Sequence, residues 1–230
     1  MAETYYEATQ TEAVQRATIT RVFGWMTAAL AITAIVAMLT VVTVPLHNLV
    51  FGNPFVFYGL LIAELALVWG VSASINRISA ATATALFVLY AAINGLTMSF
   101  IFFTYTATSI YSTFFVTAGT FGAMCVYGMV TQRNLMGLGS LFMMLLVGLI
   151  IASVVNLFWT NSTLYWVVTY GGVILFVGLT AYDAQKIKLM AASATTPELA
   201  QKVAIMGALA LYLDFINLFL YLLRILGRRR

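Results

Sequence analysis

The sequence has few charged residues, one cysteine, one histidine and three prolines. Charged side chains make up 8% of the chain and hydrophobic ones 63%, whereas a soluble domain has about 25% charged residues. Water could not solvate a folded chain of this composition, so a soluble globular protein is excluded. The single cysteine, Cys125, excludes an intramolecular disulfide and a thiolate metal site. Its apolar neighbours indicate a packed, inert thiol.

The chain has long apolar segments instead of charge. Each segment is near or above the length of about 20 residues that a helix needs to cross a bilayer. We therefore predict an all-α polytopic membrane protein whose seven spans cover, approximately, residues 22–44, 55–73, 80–103, 109–130, 137–159, 164–182 and 204–226. Residues 22–227 form one transmembrane domain, between a polar N-terminal tail at 1–21 and a basic C-terminal tail at 228–230. The connector at residues 45–54 is turn-rich.

The basic residues of the connectors predict the orientation of the chain. The first, third and fifth connectors have no Lys or Arg, whereas the second, fourth and sixth carry Arg77, Arg133, Lys186, Lys188 and Lys202. Positive charge marks the cytoplasmic side of a membrane, so the even connectors and the N-terminus are predicted to be cytoplasmic. Seven crossings then place the C-terminus in the periplasm, although it ends in three arginines. These charges indicate topology and a lipid partner, not a nucleic-acid surface.

The acidic residues inside the spans are the candidates for function. A carboxylate in a membrane segment costs about 2.5–3.5 kcal/mol on insertion scales, so it usually faces protein or water. Asp183 closes span six, and Asp214 lies inside span seven, which starts on the same side. If the two carboxylates meet, they cannot both ionise cheaply and should share a proton, which would make a proton sensor. Alternatively, Asp183 interacts with Lys186 or Lys188 at the interface, and Asp214 bonds to a Tyr or Asn neighbour.

The last span has a narrow polar stripe on an otherwise Leu-, Ile- and Phe-rich helix. Residues spaced by three and four positions share one helix face, and in this span they are Gly207, Ala210, Asp214, Asn217, Tyr221 and Arg224. Such a helix is expected to be central, surrounded by the other helices.

Glu64 lies in the middle of span two, within IAELALV. It either lines an ion pathway or is packed and neutral. Arg77 follows thirteen residues later, about 20 Å along a continuous helix, so the two are not expected to be partners. Arg77 lies instead at the membrane level of Asp183, and an ion pair between these two is plausible. The alternative is that Arg77 is a topology charge and nothing more.

Two long motifs resemble the signature of a known family. GLTAYDAQKIK at 178–188 and GALALYLDFINLFLYLLRILG at 207–227 are similar to segments of the Bax-inhibitor (transmembrane Bax inhibitor motif) family, in particular its bacterial inner-membrane members. VFGWMTAALAIT and FGAMCVYGMVTQRNL also fit. The resemblance implies seven helices with the last one wrapped by the other six, and a pH-sensitive calcium leak channel. It also implies that Asp183 and Asp214 are the paired-aspartate sensor, Arg77 a latch and Glu64 an acidic position of the ion path.

Calcium is the permeating ion of this hypothesis, and no resident metal or other cofactor is expected. The hard oxygen ligands that Ca²⁺ prefers would come from Glu64, Asn94, Asp183, Asp214 and Asn217. Three intramembrane carboxylates are too few for a tight all-protein site, so the weak binding that permeation needs is expected at Glu64, Asp183 and Asp214.

The sequence argues against two enzymatic or cofactor-based functions. An intramembrane aspartyl protease is disfavoured because Asp214 lies in LYLDF and not in a Gly-x-Gly-Asp context. A retinal-binding pump is excluded because span seven, at residues 204–226, has no lysine for a Schiff base. The chain is therefore not expected to be an enzyme. The alternative function is a non-transporting membrane regulator that binds and modulates a membrane protease or stress-response partner.

The latch hypothesis predicts a leaky variant. If Arg77 holds Asp183 and pins span two over the cytoplasmic mouth, Arg77→Ala should increase Ca²⁺ flux into liposomes at mildly alkaline pH, where the wild type is closed. Arg133→Ala, which removes another cytoplasmic charge, serves as the control. An Arg77→Ala protein as tight as the wild type at that pH would make Arg77 a topology charge only.

Overall fold

The computed structural model describes the backbone of residues 2–230 and the side chains of residues 12–230. Its helices are α1 (Ala2–Val42), α2 (Val44–Phe51), α3 (Pro54–Ser74), α4 (Ala80–Met98), α5 (Ile101–Thr104), α6 (Ala107–Val130), α7 (Gly139–Phe158), α8 (Ser162–Ala192) and α9 (Pro197–Leu226). A 3₁₀ turn at Leu135–Leu138 precedes α7. Within the described part of the chain, seven helices are long and apolar enough to cross a membrane. The prediction of an all-α polytopic membrane protein with seven spans is confirmed.

The helices extend beyond the predicted spans. Helix α1 already begins at Ala2, within the predicted tail. Helix α8 continues ten residues past position 182 to Ala192, and α9 begins seven residues before position 204, at Pro197. Hydropathy marks only the part of a helix that lies in lipid, whereas the backbone hydrogen bonds continue until a cap ends them. At α9 the hydroxyl of Thr196 accepts a hydrogen bond from the Leu199 amide at 3.2 Å, as an N-cap does.

One further prediction on local structure was wrong. The connector at 45–54 contains the short helix α2, with Pro45 in its first turn; a proline is tolerated there because that N–H has no intrahelical acceptor. The span predicted at 80–103 corresponds to the membrane-length segment Ala80–Thr104, within which α4 ends at Met98 and the separate short helix α5 follows. The limits of the transmembrane domain at residues 22 and 227 stay a prediction.

The chain divides into two compact units, and the first comprises Met1–Thr104 with Met190–Tyr212. Within it, α4 packs against α1 and α3. Gly95 permits the α1–α4 contact, since a Cβ at this position would lie 2.7 Å from the carbonyl oxygen of Thr33. The ring of Tyr212 on α9 packs edge-on against the rings of Phe87 and Tyr90 on α4, and the distances between ring centroids are 5.8 and 5.7 Å. The first part of α9 is thereby fixed on α4.

The second unit comprises Tyr105–Leu189 with Leu213–Arg230. Gly128 of α6 lies against the backbone of Ala181 of α8, and a Cβ there would overlap the Ala181 carbonyl oxygen. Gly172 of α8 accommodates the ring of Tyr221 of α9. Phe215 of α9 packs against two phenylalanine rings of α6 at 5.4 and 5.5 Å. Small residues thus permit the close helix contacts that packing in lipid requires.

The helices differ widely in burial, and α9 is the most buried of the seven membrane-length ones. In the most apolar 18-residue segment of α9, 72% of the residues are buried. The corresponding segments of the other membrane-length helices are at most 50% buried, and that of α7 has no buried residue. A helix that faces lipid on all sides would be apolar throughout and would have no buried residues in this segment, as is the case for α7. The burial of α9 agrees with the expected central position of the last helix.

The C-terminal tail is fixed to the start of α6 within the second unit. The Thr106 amide donates to the carbonyl oxygen of Arg228 at 3.1 Å, and the Arg228 amide donates to Ser109 Oγ at 3.0 Å. The tail therefore lies at the same end of this unit as the third connector, which has no Lys or Arg. This is the position that an odd number of crossings requires, while the sides of the two termini stay a prediction.

The α6–α8 contact gives a prediction with an internal control. Gly128→Ala should lower the thermal stability of the purified protein in detergent, by about 1–3 kcal/mol, because the new methyl group meets a backbone oxygen that cannot move aside. Gly119→Ala on the same helix meets nothing within 4 Å and should be neutral or stabilising, by up to about 1 kcal/mol, since alanine favours a helix. Equal melting temperatures for the two variants would contradict this account of the contact.

Candidate functional site

The structure brings Asp183 and Asp214 together. Asp183 is half-buried on α8, and Asp214 is 4% exposed on α9. Both belong to the second unit. Their carboxyl groups lie within interaction distance of each other. We refer to them as the aspartate pair.

The aspartate pair needs a proton. Two carboxylates about 4 Å apart repel each other by about 4 kcal/mol at an effective dielectric constant of about 20, and a hydrogen bond between them requires that one carries a proton. When such groups interact strongly, the proton belongs to the pair and not to either residue. A hydrogen bond within the aspartate pair therefore requires at least one proton on the two carboxyl groups.

The surroundings of the two carboxyl groups are unequal. The ammonium of Lys186, one turn along α8, interacts electrostatically with Asp183. Asp214 instead interacts with the buried thiol of Cys125 on α6, and among the described side chains its Oδ2 atom has no hydrogen-bond partner. A negative charge on the pair is consequently better balanced at Asp183 than at Asp214.

Glu64 belongs to a separate cluster in the first unit. Thr97 Oγ1 of α4 donates to Glu64 Oε1 at 2.5 Å, and Asn94 Nδ2 donates to Glu64 Oε2 at 3.3 Å. Asn94 in turn accepts at Oδ1 from the hydroxyl of Tyr212 at 2.9 Å. The Tyr212 hydroxyl also contacts Thr33 Oγ1 of α1 at 2.7 Å. These five residues, which we call the Glu64 network, connect four helices of the unit.

The remaining predicted site residues have weaker connections. Arg77 is exposed in the turn between α3 and α4 and belongs to the first unit, whereas Asp183 belongs to the second. The Arg77–Asp183 ion pair and the latch role stay predictions. Asn217 is part-buried, and its Nδ2 donates to the carbonyl oxygen of Leu213 within its own helix at 2.8 Å. The predicted role of Asn217 in the ion path also stays untested.

The end of α8 that carries Asp183 is held by polar contacts. Gln185 Nε2 donates to the Arg133 carbonyl oxygen at 2.9 Å, and Gln185 Oε1 accepts from the Leu135 amide at 2.8 Å. Lys188 Nζ donates to the Met129 carbonyl oxygen at 2.7 Å. These bonds fix α8 to the connector after α6 and so limit how far Asp183 can move along the helix axis.

Sequence reasoning did not identify Tyr212 and Thr33 as members of a site. Thr97, which lies in the same span as Asn94, was not identified either. Tyr212 carried a usable signal, since its hydroxyl lies two residues before Asp214 in a Leu-, Ile- and Phe-rich span. Thr33 carried none, because many span threonines, such as Thr40, satisfy their hydroxyl on the preceding turn.

The described side chains include no group of three or more His, Cys, Asp or Glu that could hold a metal ion. The carboxylate ligands near Glu64 and near the aspartate pair are therefore few in each place. A cation at either place would keep most of its coordination shell from water or from backbone oxygens.

Comparison with known proteins gives consistent matches along almost the whole chain. The family model described as "Inhibitor of apoptosis-promoting Bax1" matches residues 15–230. The chain is 52% identical over 212 residues to the inner membrane protein YbhL of Escherichia coli, covering 91% of each chain. It is 45% identical over 213 residues to an uncharacterized protein of Borreliella burgdorferi, covering 92% of each. It is also 43% identical over 210 residues to an uncharacterized protein of Rickettsia prowazekii, covering 91% of this chain and 89% of that one.

The contact between the aspartates predicts non-additive mutants. Asp183→Asn and Asp214→Asn each alter the same bond, so the double variant should differ in stability from the sum of the single variants by about 0.5–3 kcal/mol. Thermal unfolding in detergent at one fixed pH measures this coupling. Glu198→Gln, at an exposed residue of α9 paired with Lys202, should combine additively with Asp214→Asn. Additive effects for the two aspartates as well would show that their carboxyl groups act independently.

Proposed function

We propose, on the premise that this chain belongs to the family of the inhibitor of apoptosis-promoting Bax1, that it is a pH-sensitive calcium leak channel of a bacterial inner membrane. The location is supported by the name of the Escherichia coli relative and by the seven membrane-length helices. The observation that carries the proposal is the contact between Asp183 and Asp214 inside the apolar spans.

The aspartate pair would act as the proton sensor. With a proton between them, the two carboxyl groups hold α8 and α9 together. Without it, the carboxylates repel, and Asp183 is free to take a cationic partner, which is the role predicted for Arg77. The protein then has two states that differ in proton content, and pH shifts the balance between them. Acid favours the paired state, which we assign to the open channel.

The energy available is sufficient for a useful response. A coupling of about 1–3 kcal/mol between proton binding and gating changes the ratio of open to closed channels by about 5- to 150-fold. The repulsion of about 4 kcal/mol between adjacent carboxylates covers this range. A single shared proton can therefore control the channel without any histidine, a residue that occurs only once in the chain.

Ca²⁺ would pass Glu64, whose half-buried carboxylate lies in the middle of the membrane-length helix α3. Weak binding at a few oxygens suits permeation, since an ion must be able to leave as well as enter. The alternative function, a non-transporting membrane regulator of a protease or stress-response partner, requires no flux at all. Flux through the purified protein therefore separates the two proposals.

The proposal predicts acid-activated flux that depends on the aspartate pair. The wild-type protein in liposomes containing a calcium indicator should admit Ca²⁺ faster as the external pH is lowered from mildly alkaline to mildly acidic, by about 5- to 150-fold. Asp214→Asn should lose this rise, because the amide donates a hydrogen bond at every pH. Glu198→Gln is the matched control and should keep it.

The same assay can contradict the proposal in two ways. Flux no greater than in protein-free liposomes at any pH would favour the non-transporting regulator. Flux with an unchanged acid response in Asp214→Asn would leave a channel but remove the sensor role from the pair.

A further inference from the structure

The basic residues that follow α9 are held on an ordered backbone. The amide and carbonyl groups of Arg228 are hydrogen-bonded to the start of α6, and an antiparallel bridge connects Arg229 with Tyr105. Gly227 leaves room for the Tyr105 ring, since a Cβ at this position would lie 2.6 Å from it. The exposed side chains of residues 228–230 therefore start from a backbone that is fixed within the second unit.

Arg224 adds a fourth guanidinium group in the last turn of α9. Its Cζ atom lies 5.1 Å from the ring centroid of Tyr221 and 5.8 Å from that of Tyr165 on α8. Cation–π contacts of this kind fix the position of a guanidinium group and leave its N–H donors for an oxygen acceptor. The name arginine cluster is used below for Arg224, Arg228, Arg229 and Arg230.

The arginine cluster has no acidic partner among the side chains that the structure describes. None of its four members takes part in an ion pair. The acidic residues of the second unit are Asp183 and Asp214, and Asp214 lies ten residues before Arg224, about 15 Å along the helix axis. A carboxylate at Arg230 would offset only one of the four positive charges. The charge of the cluster has therefore to be balanced by a group from outside this unit.

Aromatic side chains indicate that the arginine cluster lies at the surface of the membrane. Tyr165, Trp166 and Tyr170 lie in the first turns of α8, and the rings of Trp166 and Tyr170 stack with centroids 5.6 Å apart. Both of these rings are exposed, at 41% and 53%. Exposed Trp and Tyr side chains at the end of a span are typical of the headgroup level of a membrane. Since Arg224 contacts Tyr165, the cluster lies at the level of the lipid phosphates.

We propose that the arginine cluster is a binding site for the headgroup of an anionic phospholipid. A guanidinium group binds a phosphate through two parallel N–H···O bonds, and the cluster offers four such groups. A zwitterionic phospholipid also carries a phosphate, but the positive charges of the cluster repel its ammonium group. The site consequently selects lipids with a net negative charge.

A bound lipid would connect the ends of three helices of the second unit. Arg224 lies at the end of α9 and against Tyr165 of α8, and Arg228 is joined to the start of α6. A ligand that binds only the folded protein stabilises it. Phosphate groups line both faces of a bilayer, so such a site can work in either orientation of the chain. Lipid binding does not depend on calcium transport and is tested without it.

Native mass spectrometry of the full chain in a neutral detergent tests the proposal. Palmitoyl-oleoyl phosphatidylglycerol is the anionic probe, and palmitoyl-oleoyl phosphatidylcholine is its zwitterionic counterpart with the same acyl chains. The first phosphatidylglycerol is expected to bind at least about fivefold more tightly than phosphatidylcholine. Arg229→Gln/Arg230→Gln should weaken phosphatidylglycerol binding by about 25-fold, about fivefold for each charge removed, and should leave phosphatidylcholine binding unchanged.

Arg16→Gln/Arg133→Gln is the matched control, because it removes two exposed arginines outside the cluster and changes the net charge by the same amount. It should keep the affinity of the wild type for phosphatidylglycerol. Equal losses of affinity in the two double variants would reduce the effect to net charge and overturn the site. Equal affinities of the wild type for the two lipids would overturn it as well.

Thermal unfolding in the same detergent separates a lipid site from a site for a soluble anion. Phosphatidylglycerol should raise the melting temperature of the wild type and not that of Arg229→Gln/Arg230→Gln, whose melting temperature without added lipid shows whether the variant is folded. Inorganic phosphate at the same concentration should have no effect. An equal rise with inorganic phosphate would assign the cluster to a soluble anion and overturn the lipid site. An absence of any rise with phosphatidylglycerol would also contradict it.

Discussion

Every polar group in the hydrocarbon part of a membrane has to find its partner within the protein, because no water is available there. The backbone meets this requirement by forming helices, which is why the described spans are helical. Threonine hydroxyls meet it on the preceding turn, as Thr40, Thr117 and Thr180 do. A carboxylate cannot donate to a carbonyl oxygen of its own helix as these hydroxyls do, and the donors to Glu64 come from another helix, α4.

The two acidic sites meet the same requirement in different ways. Glu64 uses neutral donors, the amide of Asn94 and the hydroxyl of Thr97, both supplied by α4. Asp183 and Asp214 use each other, which works only while a proton is shared between them. A network of neutral donors accepts either charge state, whereas a pair of acids changes from attraction to repulsion when the proton leaves.

The position of the aspartate pair depends on how α8 is held. Gln185 and Lys188 bind backbone carbonyls near the end of α6, while Gly128 lets α6 approach the backbone of α8. These contacts leave α8 little freedom to slide past α6. Asp214 lies on α9, the most buried of the membrane-length helices that the structure describes.

The sequence by itself determined the number of spans, the class of fold and the identity of the intramembrane acids. These are local properties, because the thickness of a bilayer fixes the length of an apolar helix and a carboxylate is conspicuous in any such helix. Helix ends were missed where polar residues continue a helix outside the lipid, as in α8. Only the tertiary structure decided which groups meet, since partners such as Glu64 and Thr97 lie 33 residues apart and their contact depends on how two helices are rotated against each other. Thr97 could not be distinguished in the sequence from threonines that bond to their own helix, because only its position against α3 gives its hydroxyl a second acceptor.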